Sequence, residues 1–155
     1  MRSAETDGYA SIGDAFSGYE HFVHWGWAAD ETILDPQRPE SLMYEVGADG
    51  TRRLVSAMYL LPPGATMADV PDLGDERAVW HDHDNLCWTP DRRLAGVLLD
   101  GECFPGGEHV VSPPMLHVWI VEHPCGPFAG IEGHGNACAH AHHAGSGGGG
   151  RGASG

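Results

Sequence analysis

The densest set of metal donors in the chain is Trp80-His81-Asp82-His83-Asp84-Asn85-Leu86-Cys87-Trp88. Alternate side chains of an extended strand share a face, so His81 and His83 point the same way, and Cys87 joins them if the strand runs on through Asn85. Two imidazoles and one thiolate suit zinc, copper or iron. The plainer account is a strand with two solvent-facing histidines and a buried structural cysteine. His-x-His followed by cysteine between two tryptophans favours the metal.

A second cluster follows Met115. In Met115-Leu116-His117-Val118-Trp119-Ile120-Val121-Glu122-His123, the histidine at 117 sits in an apolar strand and shares parity with Trp119, Val121 and His123. A buried imidazole needs a partner for each ring nitrogen, which a metal plus an outer acceptor can supply. A core histidine hydrogen-bonded to backbone accounts for His117 equally well. His123, at the strand end before Pro124, is a weaker candidate.

In Glu20-His21-Phe22-Val23-His24, His21 and Val23 share one face, and Glu20, Phe22 and His24 share the other. His21 and His24 therefore cannot both turn inward. Glu20, next to a metal-facing histidine, is the candidate catalytic group: a ligand, an orienter or a general base. Its ordinary alternative is an exposed glutamate on a strand edge. A third group, Cys138, His140, His142 and His143, alternates among small, glycine-rich neighbours and is expected to bind divalent metal loosely, if at all. Cys103 and Cys138 both lie in loop-like surroundings, and a disulfide between them is expected to pin the tail.

These residues must be positioned by an unusual chain. Its 155 residues carry 8 basic and 22 acidic side chains, a net charge of −14, and every basic residue is arginine. Without lysine there is no Schiff base and no lysine-bearing phosphate loop. The acidic balance argues against a nucleic-acid partner, since no basic stripe interrupts it. Eleven histidines are the outlier, and protonating all of them would move the charge from −14 to −3. Met1 to Ala10 has no apolar core segment and does not read as a signal peptide, and no apolar run of ~18 residues exists to insert into a membrane.

The 23 glycines and 11 prolines favour strands joined by many turns, and helical periodicity is weak. Strands are expected at Tyr19 to Trp27, Ala78 to Trp88, Arg93 to Asp100 and Met115 to Val121. A hairpin is expected from Leu42 to Val46 and Arg53 to Leu61 through Asp49-Gly50. Met67 to Val70 reads as one helical turn. The predicted fold is mainly β, a single small β-sandwich or barrel. Residues 1–18 form a short N-terminal helix or loop, 19–135 the β domain, and 136–155 a His-rich then Gly-rich flexible, disordered tail.

No Gly-x-Ser-x-Gly elbow, His-Glu-x-x-His helix, paired Cys-x-x-Cys or dinucleotide fingerprint appears. Gly74 through His83 to Gly96, then Gly101 through Pro105, Gly107 and His109, loosely resembles the two metal-binding segments of cupin barrels, with Cys87 near where the cupin glutamate would stand. That resemblance implies a small double-stranded β-barrel holding iron, manganese, nickel or copper, with dioxygenase, isomerase or binding functions. More of the chain, Asp7 to Gly135, resembles exported or envelope-associated actinobacterial proteins, a His/Cys-rich family with no assigned reaction. The resemblance rests on Asp7-Gly8-Tyr9, Ser11 to Asp14, Gly18 to His21, Asp35-Pro36 with Arg38 to Glu40, Trp80 to Cys87, Leu116 to Trp119 and Pro124 to Phe128. It implies an exported or envelope compartment and no mechanism.

The expectation is a mononuclear transition-metal site in which His81, His83 and His117 meet, completed by His21 or Cys87, with zinc, copper or iron as the ion. An open coordination position would make the protein an enzyme with Glu20 moving protons, and a closed one would make it a binding or structural site. The alternative is a metal-free envelope interaction module with bridged cysteines. Trp25, Trp27, Trp80, Trp88 and Trp119 would then form a carbohydrate- or protein-binding surface.

Overall fold

Runs of two to nine residues can extend but are too short for stable helices, and they pair into antiparallel sheets. The computed structural model describes residues 4–74 and 78–130. After a 3-10 turn at Ala4–Asp7 come β1 (Ala10–Ser11) and β2 (Tyr19–Val23), a one-turn helix α1 (Trp25–Ala28), and the hairpin of β3 (Ser41–Val46) and β4 (Arg52–Leu60). The Met67–Asp69 turn is 3-10, held by a capping box between Thr66 and Asp69. Then come β5 (Trp80–His81), β6 (Leu86–Trp88), β7 (Leu94–Val97), β8 (Glu108–Val110) and β9 (Met115–Trp119). One sheet has the order β1-β2-β3-β4-β9-β5 and the other β7-β6-β8. Among the described residues no helix is long and apolar enough to cross a membrane.

The chain is mainly β, as its run lengths predict. The hairpin forms where expected, with Gly50 at φ 79° in its turn, a conformation glycine adopts without Cβ strain. The strand expected over 78–88 is instead divided between the two sheets. Asp82, Asp84 and Asn85 favour turns, and a bend at 82–85 is held from the side. The backbone N–H of His83 donates to Ser112 Oγ at 2.8 Å, and its carbonyl accepts from Ser112 N–H at 2.9 Å. β5 therefore pairs with β9 in the large sheet, and β6 leaves for the small one.

The large sheet is strongly curled. β2 and β9 are separated by β3 and β4, so in a flat sheet they would lie about 14 Å apart. Yet the rings of Tyr19 and Trp119 come to 6.4 Å, and those of His21 and His117 to 6.2 Å. A bulge assists the curl. Met43 faces Ser56 and Tyr44 faces Leu54, which leaves Val55 as the extra residue on β4. The concave face holds the core of Met43, Val55, Met58, Met115, Trp119 and Ala129.

Residues 4–18 are built into this domain, with Tyr9, Ile12 and Asp14 buried. The small sheet is tied to them by the Leu94 N–H donating to the Ile12 carbonyl at 2.7 Å. The 136–155 tail, with Cys138, His140, His142 and His143, lies outside the described residues.

Candidate functional site

Register decides which side chains share the concave face. β2 pairs with β3 so that His21 stands opposite Met43, and β4 pairs with β9 so that Met58 stands opposite His117. β5 pairs with β9 so that His81 stands opposite Met115. Alternation then puts His21, His81 and His117 inside the curl, and His83, just past the end of β5, brings its ring beside that of His81. Ring centroids lie 5.2 Å apart for His81 and His117, 5.3 Å for His81 and His83, and 6.2 Å for His21 and His117. Four imidazoles from three separate segments of the chain thus gather in one place.

His117 is the innermost, 2% exposed, and its Nδ1 is buried without a hydrogen-bond partner. Burial holds its pKa well below the usual histidine value, and the neighbouring His21, His81 and His83 push the same way, so the ring is neutral near pH 7. A neutral imidazole keeps a lone pair free for a metal. The rings of His81 and His117 stack 13° from parallel. Among the described residues no three His, Cys, Asp or Glu side chains are posed around a common metal position.

His21 is held by a residue that sequence reasoning missed. Asp14 sits at the N-cap of the Ala15–Ser17 turn, yet its side chain makes no capping bond. Its Oδ1 accepts the backbone N–H of His21 at 2.9 Å, and its Oδ2 lies 2.5 Å from the Nδ1 of the same residue. A carboxylate facing Nδ1 in this way is the arrangement that orients metal-bound histidines elsewhere in proteins, with Nε2 as the ligating atom. The signal available in the sequence was the tight return through Gly18, which brings position 14 back beside position 21.

Two expected site residues are not with this group. Cys87 was expected to supply a thiolate, but it is fully buried in the small sheet and bonded to Cys103, so it has none to give. The same bond corrects the expected pairing of Cys103 with Cys138. Cys125 is also disulfide-bonded, and no described cysteine is free. Glu20 is buried on the opposite face of β2 from His21. It accepts from Ser11 Oγ at 2.6 Å and pairs with Arg52 Nε, so it cannot move protons at the histidines.

No family model, curated protein or solved structure matches this chain. The case for the site rests on its own geometry.

The remaining described histidines have local duties. His24 caps α1, its Nδ1 accepting from Trp27 N–H at 3.1 Å, and stacks on Trp27 at 3.9 Å. His123 stacks on Trp119 at 4.4 Å. His109, the later histidine of the cupin-like stretch, is exposed on β8 with its Nε2 2.7 Å from the Asp84 carbonyl. Of the tryptophans, Trp119 borders the histidines, with its ring 6.5 Å from that of His117 and its Nε1 donating to the Ala129 carbonyl at 2.8 Å. Trp25 and Trp88 pair elsewhere at 6.0 Å, with Arg92 over Trp25.

Proposed function

We propose that this is a metal-binding β domain with a mononuclear transition-metal site formed by His81, His83 and His117, with His21 as the fourth arm in place of Cys87. The observation that carries the reading is the meeting of these four rings inside the curl around a buried, neutral His117 whose Nδ1 has no hydrogen-bond partner. An isolated buried polar atom costs about 1–3 kcal/mol, which a bound cation would remove. Asp14 supports the same reading by leaving the His21 Nε2 lone pair available. The function is binding of the ion. Glu20, engaged with Arg52 on the far face, has no part in it. The Cys87–Cys103 disulfide supports an oxidising, extracytoplasmic setting.

Metal content after dialysis against zinc, measured on the full chain and on variants, tests the reading. One equivalent should persist when His140, His142 and His143 are changed to alanine, and it should be lost in H81A/H83A and in H117A. Loss of all metal with the tail substitutions alone would overturn it.

A second reading, an envelope interaction module, draws on the Trp25, Trp88 and Arg92 grouping at the small sheet. It expects a folded wild-type chain that retains no stoichiometric metal.

A further inference from the structure

The register places something beside the histidines that a zinc site would not need. Each strand histidine of the cluster has a methionine directly across from it: His21 faces Met43, His117 faces Met58, and His81 faces Met115. Directly opposed residues of antiparallel strands have Cβ atoms about 5 Å apart on the same face, so each thioether starts from beside an imidazole. These methionines are 0%, 4% and 7% exposed and pack in one cluster. Met67, on the turn between β4 and β5, is 44% exposed and away from the group.

Resting on the metal-site reading above, we infer that the site is selective for copper, taken as Cu(I), with at least one of the Met43, Met58 and Met115 sulfurs joining the imidazoles as ligands. Three physical points lead there. Thioethers are soft and neutral, favour Cu(I), and add little for Zn(II). No described cysteine is free, so among the described residues the softness that thiolates give a reduced intracellular site is left to methionine. Methionine is unbranched with three rotatable bonds, so a sulfur can swing toward a ligated ion without moving its strand. Packing alone does not explain the pattern, since leucine fills a core position with better-defined rotamers and occurs nowhere opposite a cluster histidine.

The test uses the full chain carrying alanine at His140, His142 and His143, titrated anaerobically with Cu(I) against bicinchoninate and, separately, with Zn(II). The wild-type core should hold one Cu(I). The ratio of Cu(I) to Zn(II) affinity should fall at least about tenfold in one or more of M43L, M58L and M115L, and should not change in M67L. Leucine for methionine nearly conserves volume, so these variants should fold. Selenomethionine-labelled protein loaded with Cu(I) gives a readout independent of variant folding, because a copper–selenium vector in selenium-edge absorption reports ligation directly. One zinc bound with no copper–selenium vector and an unchanged affinity ratio in all three variants would overturn the copper assignment while leaving the histidine site standing. Binding of neither ion would overturn both.

Discussion

Glu20 and His21 are adjacent in sequence and lie on opposite faces of one strand, and the two faces treat polar groups differently. The Glu20 carboxylate is buried with its oxygens answered by Ser11 and Arg52. On the concave side, burial drives His117 neutral and leaves Nδ1 without a partner, next to three more imidazoles. A chain under selection for stability alone satisfies its buried charged groups, as it does at Glu20. The second face departs from that rule where ligand atoms collect, which is where a functional site is expected to break local consistency.

The largest expected effect separates the faces by acidity. The folded state holds the pKa of His117 well below the value of about 6.5 that it has when unfolded. Below that pH the unfolded chain takes up a proton that the folded chain refuses. This contribution to stability is therefore complete above about pH 6.5 and falls as the pH drops, by up to about 1.4 kcal/mol per unit. Chemical denaturation with a chelator present, from pH 7.5 to 5, should show a loss that is substantially reduced in H117L. An equal loss in both proteins would mean that His117 is solvated.

Next in size is Arg52→Ala. The variant leaves Glu20 buried without its cation. Because the Arg52 side chain is itself 48% exposed, water replaces part of what is lost, and a destabilisation of about 2 kcal/mol is expected. Metal content should not change, since the ion pair is on the other face. Metal loss in a folded R52A protein would remove the distinction between the faces.

Asp14→Asn acts through one proton. The backbone N–H of His21 requires an oxygen from residue 14, so the amide nitrogen of asparagine must face Nδ1 and donate to it. His21 then carries its proton on Nε2 and loses the lone pair proposed as a ligand. Nitrogen-15 shifts of the ring should report the change of tautomer, and metal affinity should fall about tenfold. Unchanged affinity with the tautomer reversed would exclude His21 from the site.

The mainly β class and the central hairpin were legible because strand runs and an Asp-Gly turn are local signals. The opposite parities of Glu20 and His21 were legible for the same reason, whereas His81 and His83 meet across the end of β5 and not along one strand. What was not legible depends on where the chain bends. Whether Cys87 stays with His81 turns on the break at 82–85, which Ser112 fixes from 29 residues away. Asp14 was missed because its partner is set by the return of the chain through Gly18 onto β2, and β1, only two residues long, shows no pattern that would place that return. Nothing in the sequence singled out Met43, Met58 and Met115, because only the strand register places each of them opposite a histidine.

The smallest expected effect bears most directly on the difference between the faces. His117→Leu at pH 7.5, without metal, replaces a buried ring that has an unanswered nitrogen with an apolar side chain on a face already rich in methionine. Removing the unsatisfied atom favours the variant, while imperfect refilling of the ring's volume and the lost stacking on His81 oppose it. A net gain of about 1 kcal/mol is expected, visible as a higher denaturation midpoint at unchanged slope. Adding one equivalent of metal should reverse the order, because only the wild type gains stability by binding. A histidine that weakens the apo fold and strengthens the loaded one is retained for its ligand. If H117L is less stable than wild type under both conditions, His117 is a packing residue and the two faces follow one rule.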